Sequence, residues 1–301
     1  MPLGRLFGRK ASGERIGVRV GNDTLTLCRY HAGAPSTISA ERLSLSAEQD
    51  FDAALHSSAE ALPANASDCQ ITLGPKHYHI VQVDRPRVDE SELAQALSWA
   101  IKDLVPIPPD QMALDYFELP VQPAGADKIN VVCADTSVLK PMVDVLHSAK
   151  LPLSNVCVDE LNLPKLFPVI DEAQLLVIQQ ENEELLLVIV KQGMLYFSRR
   201  VRGYDLLATM TPEELRTGVV DNLSLEAQRS LDYFESQLRQ PPVKQILVSL
   251  PGAHSELIIE LLSANFFIPV SSFEPEAAVS ANLDSSGLLG LAGIIASEGA
   301  S

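Results

Sequence analysis

The sequence is poor in the residues that metal, thiol and membrane chemistry require. Its four cysteines, Cys28, Cys69, Cys133 and Cys157, form no Cys-x-x-Cys pair and adjoin no histidine cluster, which excludes an ordinary zinc site. Each falls in or beside an expected strand, where a thiol packs as a small apolar group, so a reducing cytoplasm is the simplest compartment. No apolar run approaches the roughly 20 residues of a membrane-spanning helix, and the longest late one, Leu288 to Ala296, is half of that. No signal peptide is expected either, because no apolar run of about 7 to 15 residues follows the first basic residues. Basic side chains are scarce, 23 against 39 acidic, giving a net charge of −16 and an isoelectric point near 4.7. That balance disfavours nucleic acid or anionic lipid as the main partner. The chain also lacks a phosphate-binding P-loop and a Gly-x-Ser-x-Gly elbow, which removes P-loop enzymes and serine hydrolases from consideration.

What is present is enough apolar material for two cores, 46% of 301 residues. Two stretches about half a chain apart read as the same object. Ile16 to Val20, Thr24 to Tyr30 and Thr37 to Leu43 form a three-strand meander with a tight turn at Gly21-Asn22-Asp23. Gln174 to Ile178, Glu184 to Val190 and Met194 to Arg200 repeat it, with Gln192-Gly193 as the second turn. Each meander leads into a helix, which signals duplicated domains rather than a solenoid. Helices are expected at Ala47 to Leu62, from Asp89 to Pro106, at Asn222 to Arg239, at Ser255 to Ala264 and at Leu288 to Ala296. The Asp89 helix carries a capping-box spacing to Glu92 and a Val88–Leu93 staple, and Thr211-Pro-Glu-Glu214 is a second cap. Gly287, Gly290 and Gly293 make a shallow helix face suited to close packing.

Other chemistry is thinner. His77 and His79, on an expected strand, would share one face and lack a third ligand for a metal. Arg199, Arg200 and Arg202 with Gly203 form a basic knot that either docks an acidic partner or anion or is a solvated turn. Asp171-Glu172 and Glu181 to Glu184 read as a solvated acidic edge. Trp99, the single tryptophan, points away from the buried stripe of its helix and either packs under a neighbouring subdomain or awaits a partner. Residues 1–15, where Leu3, Leu6 and Phe7 interleave with Arg5, Arg9, Lys10 and Arg15, read as a disordered basic tail or a local lipid contact worth about 1 kcal/mol per charge.

The order Val88-Asp-Glu-Ser-Glu-Leu-Ala-Gln-Ala-Leu97, Pro106-Ile-Pro108 and Asp115-Tyr-Phe-Glu-Leu119 resembles the PilM family of type IV pilus assembly proteins over nearly the whole chain. Val131-Val-Cys-Ala134, Val156-Cys-Val-Asp-Glu160 and Gln228-Arg-Ser-Leu-Asp-Tyr-Phe234 add to the likeness. Within that family it is most similar to the branch serving mannose-sensitive haemagglutinin pili, and it is related more weakly to the cytoplasmic domain of the L-type protein of type II secretion. The resemblance implies an α/β, actin-like (duplicated ribonuclease H-like) fold of two lobes, with mixed sheets flanked by helices. The first lobe would span 16–168 with an inserted subdomain at about 86–160, and the second 169–301.

Three loops hold ATP in working members of that family. Here Arg19 stands where the first hairpin's acid is expected, within Gly17-Val-Arg19-Val-Gly21-Asn22, which removes an indirect magnesium ligand and leaves Arg19 able to meet a phosphate directly. The second loop, Val177-Ile-Gln-Gln-Glu-Asn-Glu-Glu184, has no glycine and three carboxylates. One of these about 4 Å from a phosphate charge would cost about 4 kcal/mol at an effective dielectric of 20. The third, Leu250-Pro-Gly252-Ala253, is one glycine short. With these departures the resemblance implies a vestigial nucleotide site at Arg19, Gly21, Asn22 and Gly252, no cofactor and no enzyme activity. An ATP–magnesium switch is the alternative; a sugar-kinase-like enzyme would need an intact Asp-x-Gly loop with a catalytic aspartate, and neither is present. The implied partners are the cytoplasmic tail of a PilN-like single-span membrane protein, bound as an extended peptide between the first two subdomains, and other platform proteins. Trp99, Val105 and Ile107 are the candidate contacts, and the implied station is the cytoplasmic face of the bacterial inner membrane.

Overall fold

The computed structural model describes residues 14–31, 37–45, 51–60, 66–275, 288, 289 and 292. Residues 1–13 of the expected basic tail, most of the Leu288–Ala296 helix and its glycine face lie outside them, whereas Glu14 and Arg15, expected in the tail, begin the first strand.

β1 (Glu14–Val20), β2 (Thr24–His31) and β3 (Thr37–Ser44) form the first meander; α1 (Phe51–Glu60) and β4 (Ala66–Leu73) follow. The chain then leaves this sheet for β5 (His79–Asp84), α2 (Glu90–Ile101), β6 (Met112–Phe117) and β7 (Lys128–Asp135), a three-stranded unit of order β5-β7-β6. It returns through α3 (Thr136–Ser148) to β8 (Leu153–Val158), which pairs parallel with β4, and then to α4 (Asp159–Asn162). The inserted unit therefore runs over 79–135 rather than about 86–160. Alternation identifies a strand but not its neighbour: His79–Asp84 pairs with β7, whereas Leu153–Val158 belongs to the first sheet.

The second lobe repeats the plan with β9 (Gln174–Ile178), β10 (Leu185–Lys191), β11 (Met194–Val201), α5 (Pro212–Glu214), α6 (Val220–Asp232), β12 (Gln245–Ser249), α7 (Ser255–Asn265) and β13 (Val270–Ser272). Its strand order β11-β10-β9-β12-β13 matches the first sheet's β3-β2-β1-β4-β8 position for position.

The two sheets differ in what their faces carry. β10 reads Leu-Leu-Leu-Val-Ile-Val and is buried on both sides. One face packs on α6, the turn that follows it and α7 through Leu223, Leu231, Phe234 and Leu262, the other on Leu163, Leu166, Phe167 and Phe273. Leu288, Leu289 and Ala292 join that second face. In the first sheet only one face is a conventional core, with Ile16, Val18, Val20, Leu25 and Ile71 against Met142 and Leu146 of α3. Period two puts Arg19, Thr26, Gln70 and Thr72 on the opposite face, and all four are buried. Register aligns Arg19 with Thr26 and Thr72, so a buried polar layer crosses the middle of the sheet.

The caps divide. Thr211 and Glu214 form the expected reciprocal box, with proline at the first helical turn. Asp89 stands at the start of α2 with no side-chain bond into the helix, and Val88 is exposed, so neither the box nor the staple forms there. Burial raises the thiols of Cys69, to about 12, and of Cys133, which fits packing rather than reactivity.

Candidate functional site

Arg19 sits at the end of an apolar strand, and a buried guanidinium needs matching acceptors. It finds two carboxylates from distant parts of the chain. Nε and Nη2 donate to Asp159 at 3.0 and 2.9 Å, while Nη1 and Nη2 donate to Glu183 at 3.0 and 2.7 Å. Arg19 is 1% exposed and Glu183 2%. Burial alone would lower the Arg19 guanidinium; the charges of Asp159 and Glu183 outweigh it and hold it above the ordinary arginine value.

A second arginine extends the cluster. Arg200, on β11, donates from Nε to Glu160 at 2.9 Å and from Nη2 to the Tyr78 hydroxyl at 2.6 Å and Asp159 at 3.3 Å. The Tyr78 hydroxyl donates to Glu160. Burial, with Glu160 beside it, pushes the Tyr78 phenol well above its usual value and keeps it protonated. Two guanidinium groups and three carboxylates thus interlock between the lobes. Arg19, Tyr78, Asp159 and Glu160 come from the first; Glu183 and Arg200 come from the second.

The two hairpin turns also clasp each other. Asn22 Nδ2 donates to the Asn182 carbonyl and Asn182 Nδ2 to Asp23, both at 2.8 Å, and the Asn22 amide reaches Glu183 at 3.3 Å. Further out, Arg42 pairs with Glu181 at 2.8 Å. Only glycine lets this seam close: a Cβ at Gly21 would stand 2.4 Å from Thr24 Oγ1 and 2.8 Å from Glu183 Oε1. Gly252 has φ of +95° and its backbone pressed on residue 208, where a Cβ would stand 2.5 Å from the Ala208 carbonyl oxygen.

A triphosphate would need amide and cationic donors aimed outward. The Gly21 amide already donates to Thr24 and the Glu183 amide to Gln180, and Arg19 is neutralised by two carboxylates. These residues do not fit a phosphate cradle. Of the expected site residues, Arg19, Gly21 and Asn22 are brought together through Glu183, while Gly252 packs on Ala208. Glu183 is a correction: it is a buried ion-pair member, not part of a solvated edge. The basic knot is dispersed, with Arg199 on Glu226 at 2.8 Å, Arg200 in the cluster, and Arg202, 90% exposed, on Glu184 at 2.9 Å. His77 and His79 share no strand face, because a 3₁₀ turn (Pro75–His77) ends between them and the His77 ring meets the Gly21 carbonyl at 2.9 Å. Among the described residues no group of three His, Cys, Asp or Glu could hold a metal.

His77 gives a pH prediction. Burial lowers its ring from 6.5 against the pull of the Gly21 carbonyl. As pH falls through 6.5 the unfolded chain takes up protons before the folded one, so stability declines until the lower folded value is passed. His77→Gln is expected to flatten the fall in thermal midpoint between about pH 7.5 and about pH 5.5. An unchanged slope would show that the ring does not contribute.

The inserted sheet presents two faces. Val81, Val83, Ile129, Val131 and Leu114 lie under α2 with Leu93, Leu97 and Ile101. Val105 and Ile107 fold into this same core, 6% and 8% exposed, which corrects their reading as partner contacts: they cap the sheet from the α2 side. Trp99 remains on the surface, 59% exposed, with Lys102 Nζ 5.1 Å from its ring centre. The opposite face, through Ile80, Gln82 and Asn130, borders a cleft of about 710 Å³ shared with β11 of the second lobe. β5 and β11 are both outer strands of their sheets; His79, Ile80 and Gln82 of β5 and the consecutive Phe197 to Arg200 of β11 line it. On the second lobe the edge of β11 therefore looks into the cleft, while the inserted sheet turns the Ile80, Gln82 and Asn130 side-chain face towards it. Phe117, Leu119 and Tyr233 supply apolar walls.

No protein-family model matches the chain, and no curated protein matches it in sequence. Solved structures do. A chain of the PilM-PilN type IV pilus biogenesis complex superposes with a TM-score of 0.68 at 17% identity, over 97% of this chain and 100% of that one. The cytoplasmic domain of EpsL, an inner-membrane component of the Vibrio cholerae type II secretion system, gives 0.51 at 14% identity over 84% and 94%. A Bacteroides thetaiotaomicron protein of unknown function with an actin-like ATPase fold gives 0.57 at 11% identity over 94% and 97%. With its paired five-stranded sheets of identical order, the chain has the actin-like fold.

Proposed function

We propose that the chain is a non-enzymatic docking component of a type IV pilus assembly platform, of the mannose-sensitive haemagglutinin (MshI-like) kind, on the cytoplasmic face of the bacterial inner membrane. Its partner is the cytoplasmic tail of a PilN-like single-span membrane protein, with other platform proteins beyond it, and it meets the membrane through that partner. The observation that carries this reading is the cleft between two outer strands, in a chain that follows the PilM-PilN neighbour over its full length. An extended tail lying there gains backbone bonds from the β11 edge and register from the apolar walls. The cleft lining itself carries Lys76, Arg199, Arg200 and Arg202 against Glu160 and Glu184, so it is outside the cleft that the chain's net charge of −16 favours basic residues flanking the tail's apolar part. Among the described residues no helix is long and apolar enough to cross a membrane.

Synthetic tails of PilN-like proteins, labelled and titrated by fluorescence polarisation, are expected to bind saturably. Ser198→Trp, which fills the cleft, is expected to weaken them at least about tenfold, or about 1.4 kcal/mol. A tail that binds this variant as tightly as the native chain would sink the cleft assignment. In the same assay a fluorescent ATP analogue with magnesium is expected to give no saturation up to about 1 mM. Micromolar saturation would instead make the chain a nucleotide switch.

A further inference from the structure

The charge cluster bridges the lobes at the place where this fold's turns would otherwise converge on phosphate. Arg19 alone ties β1 and α4 of the first lobe to the β9–β10 turn of the second through two bidentate pairs. Arg200 returns the tie from β11 to Glu160, Asp159 and Tyr78. A bidentate fork fixes distance and angle together, which a single charge contact does not. The reciprocal Asn22–Asn182 and Asn182–Asp23 bonds close the same seam from outside. Tyr78, Glu160 and Arg200 also line the cleft, so cluster and cleft share a wall, and β5 and β11 are spaced by whatever spaces the lobes.

We infer that this internal charge clamp takes the place of a bound nucleotide: it holds the two lobes at a fixed closure and so sets the width of the peptide cleft. The second half rests on the docking function proposed above; the first half stands on the cluster alone. Lobe spacing is then built into the chain and does not follow the nucleotide pool.

The test compares the full native chain with Arg19→Met and with the triple variant Arg19→Met, Asp159→Asn, Glu183→Gln. The triple variant leaves no charge of the Arg19 pairs unmatched and keeps side-chain volume, so it reports on closure even where the single variant unfolds. A compact chain of this length has a radius of gyration of about 19 Å. Small-angle scattering of the folded triple variant is expected to show an increase of about 1 Å or more, and amide exchange at residues 21–24 and 179–183 is expected to quicken at least about tenfold. Tail affinity falls about tenfold with it, while millimolar magnesium–ATP changes none of these readings in the native chain. A folded triple variant with native scattering and native exchange overturns the clamp. Should the native chain bind no tail while the triple variant opens, the clamp stands and the docking reading falls.

Discussion

Arg19→Met is expected to lower unfolding stability by about 3–5 kcal/mol, a large part of the 5–15 kcal/mol typical of a folded domain. The loss does not measure the worth of an ion pair. Asp159 and Glu183 are buried and positioned by the fold, and without the guanidinium Asp159 keeps, among the described residues, only Arg200 at 3.3 Å and Glu183 the Asn22 amide at 3.3 Å in a poorly hydrated site. Arg19→Lys keeps the charge but cannot supply four donors in a planar fork, so it recovers only part of the loss. Because the cluster is buried, raising salt from about 0.1 to about 1 M leaves the difference between native chain and variant largely unchanged. Urea unfolding followed by far-ultraviolet circular dichroism reads all three. A methionine variant within about 1 kcal/mol of the native chain would mean that the cluster relaxes on losing Arg19.

Phe234→Ala is expected to cost about 3–5 kcal/mol as well, by a different route. Phe234 follows α6 in the π-helical turn Tyr233–Gln237, is fully buried, and meets the Tyr196 ring edge-on at 6.1 Å. It continues the stripe of Leu223, Ala227 and Leu231 against the second sheet. Its neighbours are held by β10 and α7 and cannot collapse into the gap. At about 2–4 °C per kcal/mol, the thermal midpoint of the second lobe should fall by roughly 6–20 °C. Trp99→Ala is the control: equally drastic in size but on the surface, it should shift stability by no more than about 0.5 kcal/mol. Similar losses from the two variants would contradict the packing described.

Both meanders and their duplication were legible because alternation and turn residues are local signals. Gln192 and Gly193 take the positive φ their turn needs, as the dipeptide suggests. The helical stripe ending at Phe234 and Leu238 was equally readable from spacing. The cluster was not, because its bonds join residues 140 and 164 apart in sequence. One signal did point to it: an arginine in an apolar strand, on the face shared with Thr26 and Thr72, demands buried acceptors. What remained hidden was which of many acids would answer, and Glu183, in a run of exposed-looking carboxylates, gave no sign. Val105 and Ile107 misled for a related reason. A proline-rich turn after a helix reads as surface, yet its apolar residues close the end of the α2 core. The border of the inserted unit was misplaced because strand pairing is a property of the whole topology.

Trp99 is the sole indole, already bathed in solvent on the inserted unit, so ultraviolet emission from this protein is nearly blind to melting of either large sheet. The same isolation makes it a built-in, label-free beacon: any macromolecule that covers α2 would shift its colour towards the blue, while an occupant confined to the cleft behind the sheet would leave it dark to the event.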